Sequence, residues 1–232
     1  NSHLVLKNGA TLTEKYSDQS TKRACIGYNA ANGSSNSLYI ANGGKFVSGR
    51  HLMIGGSNSA TSNPTGVVTV AGTDASLEAE EIWLGYVDSS SASGGYGGLF
   101  VKDGGKVKCR RHLLMGTDYV DANDIYRGIA EICVSGEGSV LEIGSPENNF
   151  TISMREYSSK KILVENGGRL SVQGDIKRYG STNLGYMHSW DAIVRSGGVL
   201  EFKNISFNNH DSTRLHLQGQ GKSSFTVDGG TT

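Results

Sequence analysis

The residues best equipped for chemistry stand together in the segment TDYVDANDIYRG, residues 117–128. Asp118, Asp121, Asn123 and Asp124 offer oxygen ligands, and Arg127 stands close by as a permanent cation. Such a set could hold calcium at Asp118, Asp121 and Asp124, or could act on an acidic polysaccharide through Asp118, Asp121 and Arg127. Its spacing departs from the D-x-[DN]-x-[DN]-G pattern of a calcium loop, so a solvated loop is the competing reading. Tyr119 and Tyr126 lie in the same stretch, and Tyr86 and Tyr96 occur in GYVDSSSASGGYGG, residues 85–98. NLGYMHSWDA, residues 183–192, adds Tyr186, His188, Trp190 and Asp191, with His188 and Asp191 a second pair able to exchange protons. Flat aromatic faces beside Asp, Asn and His are what a sugar-binding surface uses. The alternative is that these segments fold down and cover their own tyrosines.

Glu80 and Glu81 invite a glycosidase reading, since that chemistry needs two carboxylates across one bond. Adjacent residues of a strand point to opposite faces, so the expectation is that these two do not share a site. Alignment with neighbouring segments gives them a structural role instead. Arg50, Glu80 and Arg111 fall in one column, and His51, Glu81 and His112 in the next. Charges alternating from one repeat to the next make an ion ladder that holds register. The three cysteines are an odd number, so at least one thiol is unpaired. Their positions place Cys109 inward but Cys25 and Cys133 outward, which predicts no disulfide among them.

These residues are positioned by a repeat. Stretches that begin alike recur as LVLKNG (4–9), LYIANGG (38–44), VTVAG (68–72), LFVKDGG (99–105), ICVSGEG (132–138), ILVENGG (162–168) and AIVRSGG (192–198), with a frayed LHLQGQG (215–221). The first seven start about 30–34 residues apart, a period that indicates a solenoid. Each repeat holds three short pieces of alternating apolar residues, the signature of strands, and no helical periodicity. The N/D/S-G-G step between the first two pieces suits a tight turn with positive φ. Three strands per period predict an all-β fold: one right-handed parallel β-helix over residues 1–232, of about seven three-strand rungs stacked roughly 4.8 Å apart. The inward columns should be Leu38/Ile40, Val68/Val70, Leu99/Val101, Ile132/Val134 and Ile162/Val164, joined by Leu12, Phe46, Val107, Leu170 and Leu200. For the sixth rung, either DIKRY or TNLGY could supply the third strand.

Composition narrows the function. The chain has 22 basic and 22 acidic residues, which gives no electrostatic case for nucleic acid or an anionic membrane. No apolar run approaches the roughly 18 residues of a membrane helix. The opening NSHLVLKNGA is not a signal peptide. Neither end reads as a solenoid cap, so the expectation is a piece excised from a longer secreted or surface protein.

The pattern L-x-V-x-x-G-G-x-V-x-x-x-x-L-x-I-G, which recurs over residues 3–200, resembles the repeat of passenger domains in bacterial autotransporter adhesins. The resemblance implies display outside the cell or on the bacterial surface, without the family's membrane barrel. It leaves function open, because passengers include adhesins, toxins and enzymes. The leading expectation is an adhesin-like or structural passenger that contacts a glycan or a protein of a host or neighbouring cell. Contact would run through the stacked loops or through the outward column of the first strand, Val5, Tyr39, Thr69, Phe100, Cys133, Leu163 and Ile193. That column is apolar enough to meet another segment or to let coils associate side by side. The alternatives are a polysaccharide lyase or hydrolase of the pectin-lyase-like kind and a non-binding stalk. Against the enzyme, the short motifs NTD, GHG and RIK of polygalacturonase-like enzymes are absent, DIKRYG being the nearest approach.

Overall fold

The computed structural model describes residues 1–14, 23–57, 62–87, 94–116, 128–145, 151–155, 159–179, 189–203, 205–206, 212–218 and 224–227. All regular elements among them are strands. The first turn runs β1 (Ser2–Leu6), β2 (Thr11–Glu14) and β3 (Arg23–Ile26). The second and third each use two strands, β4 (Ser35–Ala41) with β5 (Lys45–Ser57), then β6 (Thr65–Ala71) with β7 (Ser76–Val87). The fourth has β8 (Tyr96–Lys102), β9 (Lys106–Cys109) and β10 (Leu113–Met115). The fifth has β11 (Ile129–Ser135), β12 (Val140–Ile143) and β13 (Ile152–Arg155). The sixth has β14 (Ser159–Glu165), β15 (Arg169–Val172) and β16 (Ile176–Tyr179), so DIKRY supplies its third strand. Beyond it follow β17 (Ser189–Arg195), β18 (Val199–Phe202), β19 (Ile205–Ser206), β20 (Ser212–Gln218) and β21 (Ser224–Val227).

Equivalent strands stack in parallel. One sheet of eight strands takes the first strand of every repeat, in the order β1-β4-β6-β8-β11-β14-β17-β20. The second and third strands share one sheet of 13 strands, because β5 and β7 pass the coil's corner unbroken. The fold is the expected parallel β-solenoid, with its second and third faces joined in one sheet. All three faces contribute buried side chains through about five turns, the second to the sixth, slightly fewer than the rungs expected.

The core follows from the period. Leu38, Val68, Leu99, Ile132 and Ile162 are in register and fully buried, as are Ile40, Val70, Val101, Val134 and Val164. Phe46, Val107, Leu170 and Leu200 are buried from the second strand. Leu12 shares that column yet is 39% exposed, since it belongs to the first turn.

The glycine doublets have two separate jobs. Asn42 and Gly43 both take positive φ (48° and 78°), and Gly44 N–H donates to Ala41 O at 2.9 Å, which is a type I′ turn. The second glycine is there for space. A Cβ on Gly44, Gly105, Gly168 or Gly198 would strike the carbonyl of the first strand one turn below, at Leu6, Val70, Val134 and Val164 respectively.

At the corner the strict alternation fails. On β7, Leu77, Ala79, Ile82 and Leu84 are buried, so Glu80 and Glu81 intervene together between two inward residues. The expectation that they face opposite ways is corrected: the strand bends there, and both side chains reach the same guanidinium. On the second turn three residues, Gly49, Arg50 and His51, occupy the place of these two, which shifts the β5–β7 register between Ser48 and His51.

Candidate functional site: the aromatic and ionic corner

β3, β5, β7 and the bend between β9 and β10 bring one group of side chains to the outer wall at this corner. Arg111 Nη1 lies 3.4 Å from Glu80 Oε1 and 3.5 Å from Glu81 Oε1. His51 Nε2 lies 3.4 Å from Glu81 Oε2, and the Trp83 indole N–H donates to the same oxygen at 3.0 Å. Glu81 is thus a nearly buried carboxylate with three surrounding donors. Of the expected Arg50, Glu80 and Arg111 column, the Glu80–Arg111 pair forms, while Arg50 makes no ion pair with Glu80 among the described residues; Arg111 reaches across to Glu81 as well.

Trp83 organises the aromatic half. Its ring stacks with His51 at 4.7 Å between centroids and 29° between planes, and meets Tyr86 at 4.6 Å and 58°. The Arg23 guanidinium lies 5.0 Å from the indole centroid, and its Nη1 reaches Met53 Sδ at 3.6 Å. Met53, Trp83 and Leu114 are in register on the outer face of the third strands. Met53 and Leu114 are buried there while Trp83, Tyr86, His51 and Arg23 remain half-exposed. Apart from Tyr86, and His51 in its expected charge column, this group was not anticipated from sequence. Its signal was the runs Leu52-Met53-Ile54, Ile82-Trp83-Leu84 and Leu113-Leu114-Met115, apolar at both strand parities and therefore covered on both faces.

The two histidines differ in setting. Burial pushes the His51 imidazole below its ordinary value against the pull of Glu81, so the ring is neutral at pH 7 and its contact with Glu81 is not an ion pair. His112 Nδ1 lies 3.3 Å from the Thr151 backbone N–H and 3.2 Å from the Thr151 hydroxyl. Arranged this way, the corner offers an aromatic face bordered by a fixed acceptor and fixed donors.

The sequence-predicted residues separate into three places. Tyr86 joins the corner. Tyr96 does not: it lies on the first sheet, where its ring and that of Phe100 both cover Gly98. Its hydroxyl donates to Glu131 Oε2 at 2.8 Å, and burial together with that carboxylate raises the phenol's pKa far above the usual value. Trp190 belongs to β17, in register with Lys160 and Thr213, rather than to a segment leaving the third strand. Asp191 stands in register with Lys161, next to the Lys161–Glu131 ion pair of 3.2 Å. Asp118, Tyr119, Asp121, Asp124, Tyr126, Arg127, Tyr186 and His188 lie outside the described residues, and the calcium expectation lies there with them. Among the described residues no group of three or more His, Cys, Asp or Glu could hold a metal ion.

The outward column of the first sheet forms as expected, with Val5, Tyr39, Thr69, Phe100, Cys133, Leu163 and Ile193 in register. Its exposure is uneven. Val5 and Tyr39 are 51% and 42% exposed, whereas Cys133 and Leu163 fall to 7% and 9%. The ion pairs Lys161–Glu131 and Arg195–Glu165 flank the latter two, and their stems cover apolar surface. Phe100 carries the Lys102 ammonium 5.2 Å from its ring centroid. Cys25, Cys109 and Cys133 are all free, the second inside the coil and the other two outside it.

Among the described residues no helix is long and apolar enough to cross a membrane. Comparison with known proteins finds no matching family model, no similar curated protein and no similar solved structure.

Proposed function

We propose that this β-solenoid is a glycan-binding protein of the adhesin kind, working outside the cell or on its surface. The corner built on Trp83 is then one of its contact faces. The observation that carries this reading is the half-exposed Trp83–Tyr86–His51 group, edged by Glu81 and Arg111. A pyranose ring has an apolar face and a rim of hydroxyls, and this corner pairs an aromatic surface with preset donors and an acceptor. Because the polar groups are already held by one another, little ordering is left for the moment of binding. The loop edge around Tyr119, and the Tyr39–Ile193 wall as a protein-facing or self-associating surface, remain parts of the same proposal.

A broad glycan array probed with the protein tests it. Trp83→Ala/Tyr86→Ala should weaken any hit about fivefold or more, the loss of one or two aromatic contacts worth roughly 1–3 kcal/mol together. Hits unchanged in that variant would remove the corner from the function. A blank array would leave protein contact through the Phe100–Ile193 wall, or the stalk reading.

A polysaccharide-cleaving enzyme is the second reading, favoured by one observation: Glu80 and Glu81 reach the same Arg111 nitrogen. Incubation with acidic and neutral polysaccharides, scored for new reducing ends, decides it. Product that disappears in Glu80→Gln and Glu81→Gln would replace binding with catalysis.

A further inference from the structure

A shallow groove of about 430 Å³ adjoins the corner, and its lining includes Glu78, Glu80, Lys108, Arg110, Arg111 and Ser145. The alternation of β9 sends Val107 and Cys109 into the core and leaves Lys106 and Lys108 exposed on the outer wall, with Arg110 exposed just beyond. Residues two apart on a strand are roughly 6.6 Å apart, so these three cations form a row along the fourth turn. Both lining carboxylates are engaged from the third turn: Arg110 Nε meets Glu78 Oε1 at 2.6 Å, and Arg111 meets Glu80. The Arg110 contact uses one donor of the five that a guanidinium carries. Lys106 and Lys108 make no ion pair among the described residues.

The neighbouring turns set the direction of any ligand. Glu78 on the third turn and exposed Glu142 on the fifth are both in register with Lys108. An anionic chain laid across the turns would meet a carboxylate on either side of the lysine. Laid along the fourth turn, it meets one cation after another. At the far end of the row Arg111 touches Glu81, which accepts from Trp83, so the cationic row and the aromatic corner are continuous.

We propose that the fourth turn binds an acidic saccharide, one carrying carboxylate or sulfate groups, with the oxyanions on Lys106, Lys108 and Arg110 and an adjoining ring at Trp83. This deepens the glycan-binding reading and rests on it. The ligand is anionic although the whole chain is neutral, because the acidic residues are used to orient the arginines and fence the row.

The test measures binding by calorimetry of three size-matched oligosaccharides, one of uronic acids, one sulfated and one neutral, at low and physiological salt. The protein is compared with Lys108→Gln/Arg110→Gln and with Lys102→Gln, which removes a cation from the other sheet. The expected result is binding of an acidic oligosaccharide that weakens with salt. It should fall tenfold or more in the double variant, as expected for lost charged hydrogen bonds, and stay unchanged in Lys102→Gln. Which acidic ligand binds tells carboxylate from sulfate. Equal binding by wild type and the double variant overturns the inference, as does equal affinity for a single-stranded DNA of the same charge. Binding of the neutral oligosaccharide alone overturns it too, but leaves the glycan-binding reading standing. No binding of any oligosaccharide overturns both. Thermal midpoints of the variants, expected within a few degrees of wild type, separate lost binding from lost folding.

Discussion

At the scale of single residues, the fold assigns different chemistry to similar groups. Cys109 is enclosed by the core, and burial pushes its thiol up to about 12. Cys25 is exposed and Cys133 nearly covered, with both thiols raised by burial to a lesser extent. Reaction requires the thiolate and access. Native alkylation followed by mass spectrometry should therefore label Cys25 first, Cys133 more slowly, and Cys109 only on unfolding. Labelling of Cys109 at the rate of Cys25 would contradict the packed interior. His51 gives a pH prediction. Its folded pKa is lowered, so the unfolded chain takes up the proton first. The stabilisation is present above the ordinary imidazole value and is lost as pH falls through it towards the folded value. Urea midpoints should drop between pH 7.5 and 5.5, and drop less in His51→Asn; identical slopes would show that His51 does not titrate as its burial implies.

At the scale of elements, the turn between the first two strands is the strongest local determinant. Gly105→Ala should be destabilising by roughly 1–3 kcal/mol, because the new Cβ meets the Val70 carbonyl, a backbone atom that cannot rotate away. Chemical denaturation measures it, and a loss below about 0.5 kcal/mol would mean that the turns separate more easily than stacked strands should. The same turn shows why so much of the fold was legible in the sequence. Period-two alternation and a fixed step between glycines locate Leu38, Val68, Leu99, Ile132 and Ile162 without any knowledge of what surrounds them. The corner was not legible, because alternation carries no information on how many residues a bend consumes. Gly49-Arg50-His51 fill it on one turn and Glu80-Glu81 on the next, and that difference decides that the two glutamates share a face. Trp83 was overlooked for a related reason. An outward position reads as solvent-facing, and only the apolar Met53 and Leu114 beside it in register show that the wall is covered there.

At the scale of the whole molecule, near-identical repeats create a problem of order. KFVSGRHLMIGG (45–56) and KVKCRRHLLMG (106–116) are alike enough to pair with each other directly, which would leave out the turn between them. Charge opposes it. The outer residues Lys45 and Arg50 of the second turn and Lys106, Lys108, Arg110 and Arg111 of the fourth are basic, whereas Glu78, Glu80 and Glu81 of the intervening third turn are acidic. Direct pairing would set Lys106 against Lys45 and Arg111 close to Arg50, while the native order gives Arg110–Glu78, Arg111–Glu80 and Arg111–Glu81. Each exposed pair contributes little alone, but like charges in register at every turn are a cumulative penalty on the wrong order. Glu78→Lys/Glu80→Lys/Glu81→Lys should therefore lower stability by about 2–4 kcal/mol at low salt, the largest share coming from nearly buried Glu81. Part of the loss should return in about 0.5 M salt, where charges are screened within a few ångströms. Adding Arg110→Glu and Arg111→Glu should restore part of it again, since opposite signs then face each other across the two turns. A loss that ignores both salt and the compensating swap would mean that shape alone orders the repeats, and the alternation of charge would need another explanation.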